Sequence, residues 1–343
     1  MRSDLPEGPF FVPYNLPYVV KGLSMDSIAV TSRAFSRNPV LRAEIQKDFP
    51  HVKFNDSVRL NGGDLVKFLA GHNKAIVSLE VIDDYVLTHV PELRVISKYG
   101  VGVDNIDFEA LDRHGVKFAW QGGVNRRSVS ELTLGFMLSL LRHIPESNAQ
   151  LKEGKWIQKT GTQLSGKVVG ILGCGNVGKD LVKLLKPFEC RLLANDIVDN
   201  SLFYSEYGVE EATLDTLITQ CDIISIHVPC DKSTKNILNV ERLNRMKPGA
   251  ILVNTARGNL VDEVALKSCL MAGHLGGAAF DVFAIEPPTD IELISLPNFL
   301  TTPHIGGSSA EAILAMGRVA IEGLKQSRPI AEWKSGRELT FPM

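Results

Sequence analysis

A glycine-rich turn carries the clearest chemical signal in the sequence. An apolar run of strand length leads into G-x-G-x-x-G at residues 173–178, and a second apolar run ends at Asp196. Gly173 permits a tight turn, Gly175 lets the backbone approach a pyrophosphate, and Gly178 lets a helix pack closely on the strand. Strand, glycines, helix, strand and acid in this order predict a dinucleotide site.

Asp196 selects between the two nicotinamide cofactors. A carboxylate at the end of the second strand can accept hydrogen bonds from ribose hydroxyls and would repel a 2′-phosphate. The next residues, Ile197 and Val198, supply no cation. We therefore expect NAD, held also by the backbone at Asn176 and Val177, where the helix begins.

Other polar residues follow strand-like apolar runs. Ligands of open α/β sheets bind at the carboxyl ends of strands. The segments at such positions are Lys98–Asp104, His227, Asn254–Gly258, Asp281–Pro288 and Thr302–Gly307.

Strands and helices alternate along most of the chain, which predicts parallel sheets covered on both faces. We expect an α/β fold of two doubly wound domains. The substrate domain spans residues 1–127 and 305–343, and the NAD-binding domain spans residues 128–304.

Two helices mark the domain crossings. Ser128 and Glu131 form a capping-box pattern before an apolar helix over Val129–His143, which we place between the domains or at a dimer interface. A second pattern, Ser308 and Glu311, predicts a helix to about residue 326 that returns to the first domain.

Composition excludes several classes. The net charge of −2 offers no bulk attraction to nucleic acid or an anionic membrane, and no apolar run reaches membrane-spanning length. Five scattered cysteines match neither a disulfide framework nor zinc spacing, so we expect no metal and a cytoplasmic location. Residues 1–24, rich in proline and aromatics, could be an arm packed on a partner subunit or could partly reflect an upstream start.

In combination, four motifs resemble the D-isomer-specific 2-hydroxyacid dehydrogenases over roughly residues 25–325. They are G-x-G-x-x-G, N-T-A-R-G, F-D-V-F-x-x-E-P and T-P-H-x-G-G. The resemblance implies a discontinuous, flavodoxin-like substrate domain, a Rossmann-like NAD domain, a homodimer and a small 2-oxo or 2-hydroxy acid as substrate.

The residues' chemistry and the resemblance together indicate catalytic roles for three residues. Arg257 could bind the substrate carboxylate and carbonyl through its forked donors. His304 could donate a proton to the ketone oxygen, and Glu286 could fix its tautomer and raise its pKa. Each has a plainer reading: a surface ion pair for Arg257, a structural histidine for His304 and a helix-stop acid for Glu286.

The resemblance also implies binding residues. The backbone around Lys98 would hold the substrate carboxylate, and His227 would line the cofactor site. The expected substrate-binding residues are Ser78, Lys98, Tyr99, Gly100, Val101, Gly102, Asn125 and Arg257. The expected cofactor-binding residues, besides the glycine turn and Asp196, are His227, Pro229, Thr255, Ala256, Asp281, His304 and Gly306.

One segment departs from the family. Phosphoglycerate dehydrogenases carry an Arg-Ser pair after the third strand, where this chain has Ser78-Leu79-Glu80. Glu80 would repel a phosphate if it faced the cleft, although Lys98 could compensate. We therefore favour glyoxylate, hydroxypyruvate or another unphosphorylated 2-oxo acid over 3-phosphoglycerate.

Two other readings stay open. Formate dehydrogenases have Gln where Glu286 stands, but a phosphite oxidiser shares the Arg, Glu and His trio. A non-catalytic NAD(H)-sensing corepressor can also retain the trio. No low-complexity tail is visible in the sequence, which favours an enzyme.

Overall fold

The computed structural model of the protein describes residues 26–56 and 60–335. The proline- and aromatic-rich leader, residues 1–24, lies outside the described residues, as do residues 336–343. Within the described part, the chain forms two parallel sheets, as the alternating pattern predicts.

The first sheet has five strands in the order β2-β1-β3-β4-β5. Its strands are β1 (Ser27–Val30), β2 (His51–Phe54), β3 (Lys74–Val77), β4 (Val95–Lys98) and β5 (Lys117–Ala119). The helices between them are α1 (Arg33–Ser36), α2 (Pro39–Asp48), α3 (Gly62–Leu69), α4 (Asp84–His89) and α5 (Phe108–Arg113). This order is flavodoxin-like, with its switch point between β1 and β3.

Two helices lead to the second sheet, α6 (Arg126–Leu141) and α7 (Ile144–Lys152). The seven strands there are β6 (Val168–Leu172), β7 (Arg191–Asn195), β8 (Val209–Glu211), β9 (Ile223–Ile226), β10 (Ile251–Asn254), β11 (Gly277–Phe280) and β12 (Phe299–Thr301). The accompanying helices are α8 (Asn176–Leu185), α9 (Ser201–Tyr207), α10 (Leu214–Gln220), α11 (Val240–Arg245), α12 (Glu263–Met271) and α13 (Ile291–Ile294). Short 3-10 turns cover Lys186–Phe188 and Gly258–Leu260.

The order of the second sheet is β12-β11-β10-β9-β6-β7-β8, with every recorded pairing parallel. The order reverses between β6 and β9, so the crevice above them is the expected nucleotide site of a Rossmann fold. Apolar strand residues are buried on both faces of each sheet, and each face carries its own hydrophobic cluster.

The last two helices, α14 (Ala310–Gln326) and α15 (Ile330–Ser335), return to the first sheet. Ser97 Oγ in β4 donates to the carbonyl of Ala320 at 2.7 Å, and Lys74 Nζ donates to the carbonyl of Leu324 at 3.0 Å. A Cβ at Gly323 would overlap Ser97, so glycine allows this close approach. The first unit is therefore discontinuous, as predicted.

Both predicted capping boxes are wrong in detail. Helix α6 begins at Arg126, and Ser128 Oγ instead donates to the carbonyl of Gly306 at 2.6 Å. Helix α14 is capped by Ser309, which accepts from the amide of Ala312, rather than by Ser308. In the first case the hydroxyl of Ser128 bonds a residue far away in the sequence, and the local spacing of residues cannot reveal such a contact.

The apolar helix α6 packs against α8, β10 and β11 of the second unit and against α14 of the first. Its buried residues include Val129, Phe136 and Met137, whereas Glu131 and Gly135 are exposed. Placement between the two units is thus confirmed. Among the helices of the described part, none combines the length and apolar character needed to cross a membrane.

Candidate active site

The predicted site residues of the second unit lie where its parallel strands end. The glycine turn follows β6, His227 follows β9, Arg257 follows β10, Asp281 follows β11 and His304 follows β12. Since all seven strands are parallel, these carboxyl ends meet at one edge of the sheet.

His304 and Glu286 form a hydrogen-bonded ion pair at this edge. Nδ1 of His304 lies 2.8 Å from Oε2 of Glu286, and the side chains are 43% and 39% exposed. The pair is therefore accessible to a ligand. His304 also adopts φ 56°, a left-handed conformation uncommon for residues with a side chain.

The two groups shift each other's pKa. The hydrogen bond from Glu286 raises the pKa of His304 above its ordinary value, against the opposing effect of burial. Burial is the largest effect and acts to raise the pKa of Glu286, but the hydrogen bond and charge of His304, the amide of Phe283 and the charge of Arg257 together lower it below its ordinary value. The positive charge of Arg257 adds to the lowering of the pKa of Glu286 and opposes the rise of the pKa of His304, so Arg257 acts on both members of the pair.

Asp281 holds the turn that carries His304. Its Oδ1 accepts from Thr302 Oγ1 at 2.6 Å and from the amide of Ile305 at 2.7 Å, while Oδ2 accepts from the amide of Gly306 at 2.7 Å. The side chain is buried. The structure thus places this expected cofactor residue beneath the turn, where it fixes the backbone of His304.

The loops of Arg257 and Glu286 are packed together. The amide of Phe283 donates to Glu286 Oε1 at 3.1 Å, and the amide of Ala284 donates to Glu263 Oε1 at 2.8 Å. A Cβ at Gly258 would overlap the backbone of Phe283 and Ala284. Gly258 and Glu263 therefore support the site, although the sequence analysis assigned them no role.

Arg257 meets a carboxylate from the first unit. Its Nε lies 2.8 Å from Asp104 Oδ2, and Nη1 donates to the carbonyl of Ala256 at 2.7 Å. Asp104 ends the glycine segment after β4, and the sequence analysis assigned it no role of its own. The available signal was a carboxylate at the end of a loop expected to hold the same substrate carboxylate as Arg257.

Lys98 and Glu80 are buried rather than open to the cleft. Lys98 Nζ donates to the carbonyl of Ser78 and, at 2.9 Å, to Asn105 Oδ1. Glu80 Oε2 accepts from Thr31 Oγ1 at 2.7 Å and from the amide of Ser78 at 2.8 Å. Burial lowers the pKa of Lys98 to about 8, against the raising effects of Glu80 and Asp104. Both charged groups therefore form hydrogen bonds within the fold, at the ends of β3 and β4.

The other expected substrate-binding residues near β4 lie either in the core or in the glycine loop. The Tyr99 ring packs edge-on against Phe35 in the core, with centroids 5.8 Å apart, and its buried hydroxyl finds no hydrogen-bond partner among the described residues. Gly100 adopts φ 117°, and the carbonyl of Val101 accepts from Trp120 Nε1 at 3.0 Å. These contacts fix the backbone of the glycine loop.

Asn125 approaches the histidine turn from the crossing between the units. Its side chain is buried, its Oδ1 has no hydrogen-bond partner within residues 26–56 and 60–335, and a Cβ at Gly307 would lie 2.8 Å from its Nδ2. The structure thus brings Asn125 beside the T-P-H-x-G-G turn.

The nucleotide turn has the shape that a dinucleotide requires. Gly173 adopts φ 94°, and a Cβ there would lie 2.7 Å from the amide of Val228. A Cβ at Gly178 would overlap the carbonyl of Gly173, whereas Gly175 has open space and no side chain caps the helix start at Asn176 and Val177. Free helix amides over an open glycine form a cradle for phosphate.

Asp196 lies beside this cradle at the end of β7. Its Oδ2 accepts from the amide of Cys174 at 2.6 Å and its Oδ1 from the amide of Val198 at 2.9 Å. These bonds orient the carboxylate next to the glycine turn, as NAD binding through a ribose requires. The observed cradle and acid therefore fit NAD.

The other expected cofactor residues line the edge between β9 and β10. His227 Nε2 lies 2.8 Å from Ser225 Oγ, and burial lowers the pKa of His227 to about 3, which keeps the ring neutral. Thr255 Oγ1 lies 2.9 Å from Thr133 Oγ1 of α6, next to Ala256. The carbonyl of Pro229 accepts from Thr234 Oγ1 at 2.7 Å.

Comparison with known proteins identifies the family. The profile of the D-isomer specific 2-hydroxyacid dehydrogenase, NAD binding domain, matches residues 134–306. The chain is 41% identical over 235 residues to the hydroxypyruvate reductase of Thermotoga maritima, covering 67% of this chain and 76% of that one. It is 38% identical over 246 residues to the D-3-phosphoglycerate dehydrogenase of Archaeoglobus fulgidus, covering 71% of this chain but 47% of that one.

A solved structure is also similar to this chain. The TT0316 protein of Thermus thermophilus superposes with a TM-score of 0.79 at 33% identity, covering 90% of this chain and 97% of that one. The protein therefore belongs to the D-isomer-specific 2-hydroxyacid dehydrogenases, the family of NAD-dependent oxidoreductases that act on 2-hydroxy acids.

Proposed function

We propose that this protein interconverts a small D-2-hydroxy acid and its 2-oxo acid, with Arg257, Glu286 and His304 as the catalytic residues. The observation that carries the proposal is the His304–Glu286 pair, 2.8 Å apart, on the strand edge that also carries Arg257. A protonated imidazole next to an arginine suits reduction of a carbonyl flanked by a carboxylate.

Residues of this chain bind the substrate and transfer the proton. Arg257 binds the carboxylate and the carbonyl oxygen, and the backbone of Gly100–Gly102 offers further donors. His304 gives a proton from Nε2 to the carbonyl oxygen, while Glu286 on Nδ1 stabilises the imidazolium. In the oxidative direction the same nitrogen accepts the hydroxyl proton.

The cofactor would rest on the glycine turn, with Asp196 at its ribose. Gly175 leaves room for the pyrophosphate, Gly173 and Gly178 allow the tight turn and the close packing of helix and strand beneath it, and neutral His227 lines the edge next to it. When bound, NADH supplies the hydride that the substrate carbon accepts.

We infer an unphosphorylated substrate such as glyoxylate or hydroxypyruvate. Ser78 stands where a phosphate-binding arginine would be expected, and Lys98 is 3% exposed with its Nζ already donating to Ser78 and Asn105. The similarity to a hydroxypyruvate reductase supports the same class.

We also propose a cytoplasmic homodimer. None of the residues of α7 is buried in the single chain, and Leu151, Trp156 and Ile157 are 56%, 80% and 54% exposed. Since large apolar side chains exposed close together along one segment often mark a contact with a partner, we expect a second copy to cover them. All five cysteines are free, as a reducing compartment favours.

A substrate panel tests the proposal. Purified protein with NADH is offered glyoxylate, hydroxypyruvate, pyruvate, branched 2-oxo acids and phosphohydroxypyruvate, and NADH consumption is followed. Rapid turnover of an unphosphorylated acid is expected. Turnover of phosphohydroxypyruvate alone would overturn the substrate class and indicate a 3-phosphoglycerate dehydrogenase. NADH binding without turnover of any acid would favour a cofactor-sensing protein.

A further inference from the structure

Asp104 and Arg257 connect the two units of the fold across the active-site edge. Asp104 follows the glycine loop at the end of β4, whereas Arg257 follows β10. Oδ2 of Asp104 lies 2.8 Å from Nε of Arg257, and Oδ1 lies 3.4 Å from Nη2. The carboxylate is 56% exposed and the guanidinium side chain 31% exposed, so the pair lies at the cleft surface.

The pair uses one particular edge of the guanidinium. Nε and Nη2 form the side edge of the group, and Asp104 accepts from both. Nη1 turns one N–H back to the carbonyl of Ala256 at 2.7 Å. The planar fork has five N–H donors, so one on Nη1 and one on Nη2 remain at its end edge. That edge matches a two-oxygen acceptor.

The glycine loop supports the same orientation. A Cβ at Gly102 would overlap Nη2 of Arg257 and would lie 3.7 Å from Asp104 Oδ2. The guanidinium therefore lies directly against the loop backbone. A side chain at Gly102 would push it away from both the loop and Asp104.

Two roles for Asp104 would differ in which edge it occupies. A carboxylate that competed with substrate would occupy the end edge of Arg257, while a carboxylate that aimed Arg257 would leave that edge free. The observed contacts are on the side edge. We propose that Asp104 is a positioning residue, which orients Arg257 so that its end edge receives the carboxylate and carbonyl oxygens of the substrate. This inference rests on the proposed function.

The test compares Asp104→Asn, Asp104→Ala and the control Glu109→Gln. Glu109 is an exposed carboxylate at the start of α5, so its substitution removes the same charge without touching Arg257. The measurements are kcat and KM for the best 2-oxo acid, NADH affinity, and binding of oxamate, an unreactive 2-oxo acid analogue, to the NADH complex.

Both Asp104 variants should raise KM and weaken oxamate binding about tenfold or more, the usual effect of losing a charged hydrogen bond. NADH affinity should not change, and Glu109→Gln should resemble the unmodified protein. If removing the negative charge of Asp104 acted only by electrostatics, the anionic substrate would bind more tightly. The weaker binding predicted here is the opposite of that effect. Tighter oxamate binding in Asp104→Asn would contradict positioning and indicate competition.

A double-mutant cycle separates positioning from general support of the fold. Lysine lacks the planar guanidinium that Asp104 is proposed to orient. In an Arg257→Lys background, Asp104→Asn should therefore change oxamate binding less than twofold. An undiminished effect there would overturn the inference. If the unmodified protein neither reduced any 2-oxo acid nor bound oxamate, the proposed function would fail instead, so the two failures are distinguishable.

Discussion

Nδ1 of His304 lies 2.8 Å from Oε2 of Glu286, although the two residues reach the site on different loops. Asp281 fixes the first loop through three hydrogen bonds, and Phe283 and Glu263 fix the second. The pair is thus oriented by backbone contacts on both sides. Its hydrogen bond leaves Nε2 as the nitrogen available for proton transfer.

Replacing His304 by Gln should lower kcat for 2-oxo acid reduction about 10²- to 10⁴-fold, the usual contribution of a general acid. NADH affinity should stay unchanged, because the glycine cradle does not involve the imidazole. Steady-state kinetics and fluorescence titration with NADH measure the two quantities. His51→Gln, at an exposed position in β2, is the matched control. Equal turnover by His304→Gln would remove the residue from catalysis.

Replacing Glu286 by Gln should move the pH profile of reduction to lower pH. Reduction needs protonated His304, so kcat/KM falls as the pH rises through the pKa of His304. Glu286 holds that pKa above its ordinary value, and the neutral amide removes this effect. The profile of the reverse oxidation should begin its rise at lower pH for the same reason. An unchanged midpoint in the variant would show that Glu286 does not tune His304.

Replacing Asp196 by Ala should narrow the preference for NADH over NADPH. The variant loses the ribose acceptor and the negative charge that repels a 2′-phosphate. KM values for both cofactors measure the change. Asp199→Ala, in the same loop, removes a carboxylate that accepts from the amide of Ser201 at 2.9 Å, and it should keep the preference for NADH. Equal use of NADPH by the unmodified protein would contradict the role of Asp196.

Replacing Gly258 by Ala should destabilise the protein by about 1–3 kcal/mol, because the new methyl group overlaps the backbone of Phe283 and Ala284. Gly135→Ala is the contrasting control, since nothing lies within 4 Å of its Cβ position in helix α6. That change should stabilise by about 0.5–1 kcal/mol. Thermal unfolding of both variants provides the comparison. A stable, fully active Gly258→Ala variant would show that the two loops can separate freely.

The dimer proposal predicts a mass of two chains in light scattering at micromolar concentration. Trp156→Glu should shift the protein toward monomer, because a charge would be buried at the contact. Leu202→Glu, at a position 88% exposed on α9, should leave the mass unchanged. A monomeric unmodified protein at that concentration would contradict the proposal.

Most of the fold was predictable because its signals are local. The G-x-G-x-x-G turn, Asp196 and the alternation of apolar runs predict the two α/β units with parallel sheets. The return of α14 to the first sheet was also predicted, and the hydrogen bond from Ser97 Oγ to the carbonyl of Ala320 shows it.

The unpredicted features depend on residues far apart in the chain. Ser128 bonds Gly306, Asp104 bonds Arg257, and Glu80 bonds Thr31. Helix α7 buries no residue in the single chain, so periodicity carries little signal for it. Such partners come together only when the chain is folded.

The most direct test of the central claim is NADH consumption with hydroxypyruvate, together with the configuration of the product. Our account predicts that one NADH is oxidised for each glycerate formed, that the glycerate is the D-isomer, and that the His304→Gln variant binds NADH but forms almost none. Formation of the L-isomer, or full turnover without His304, would contradict it.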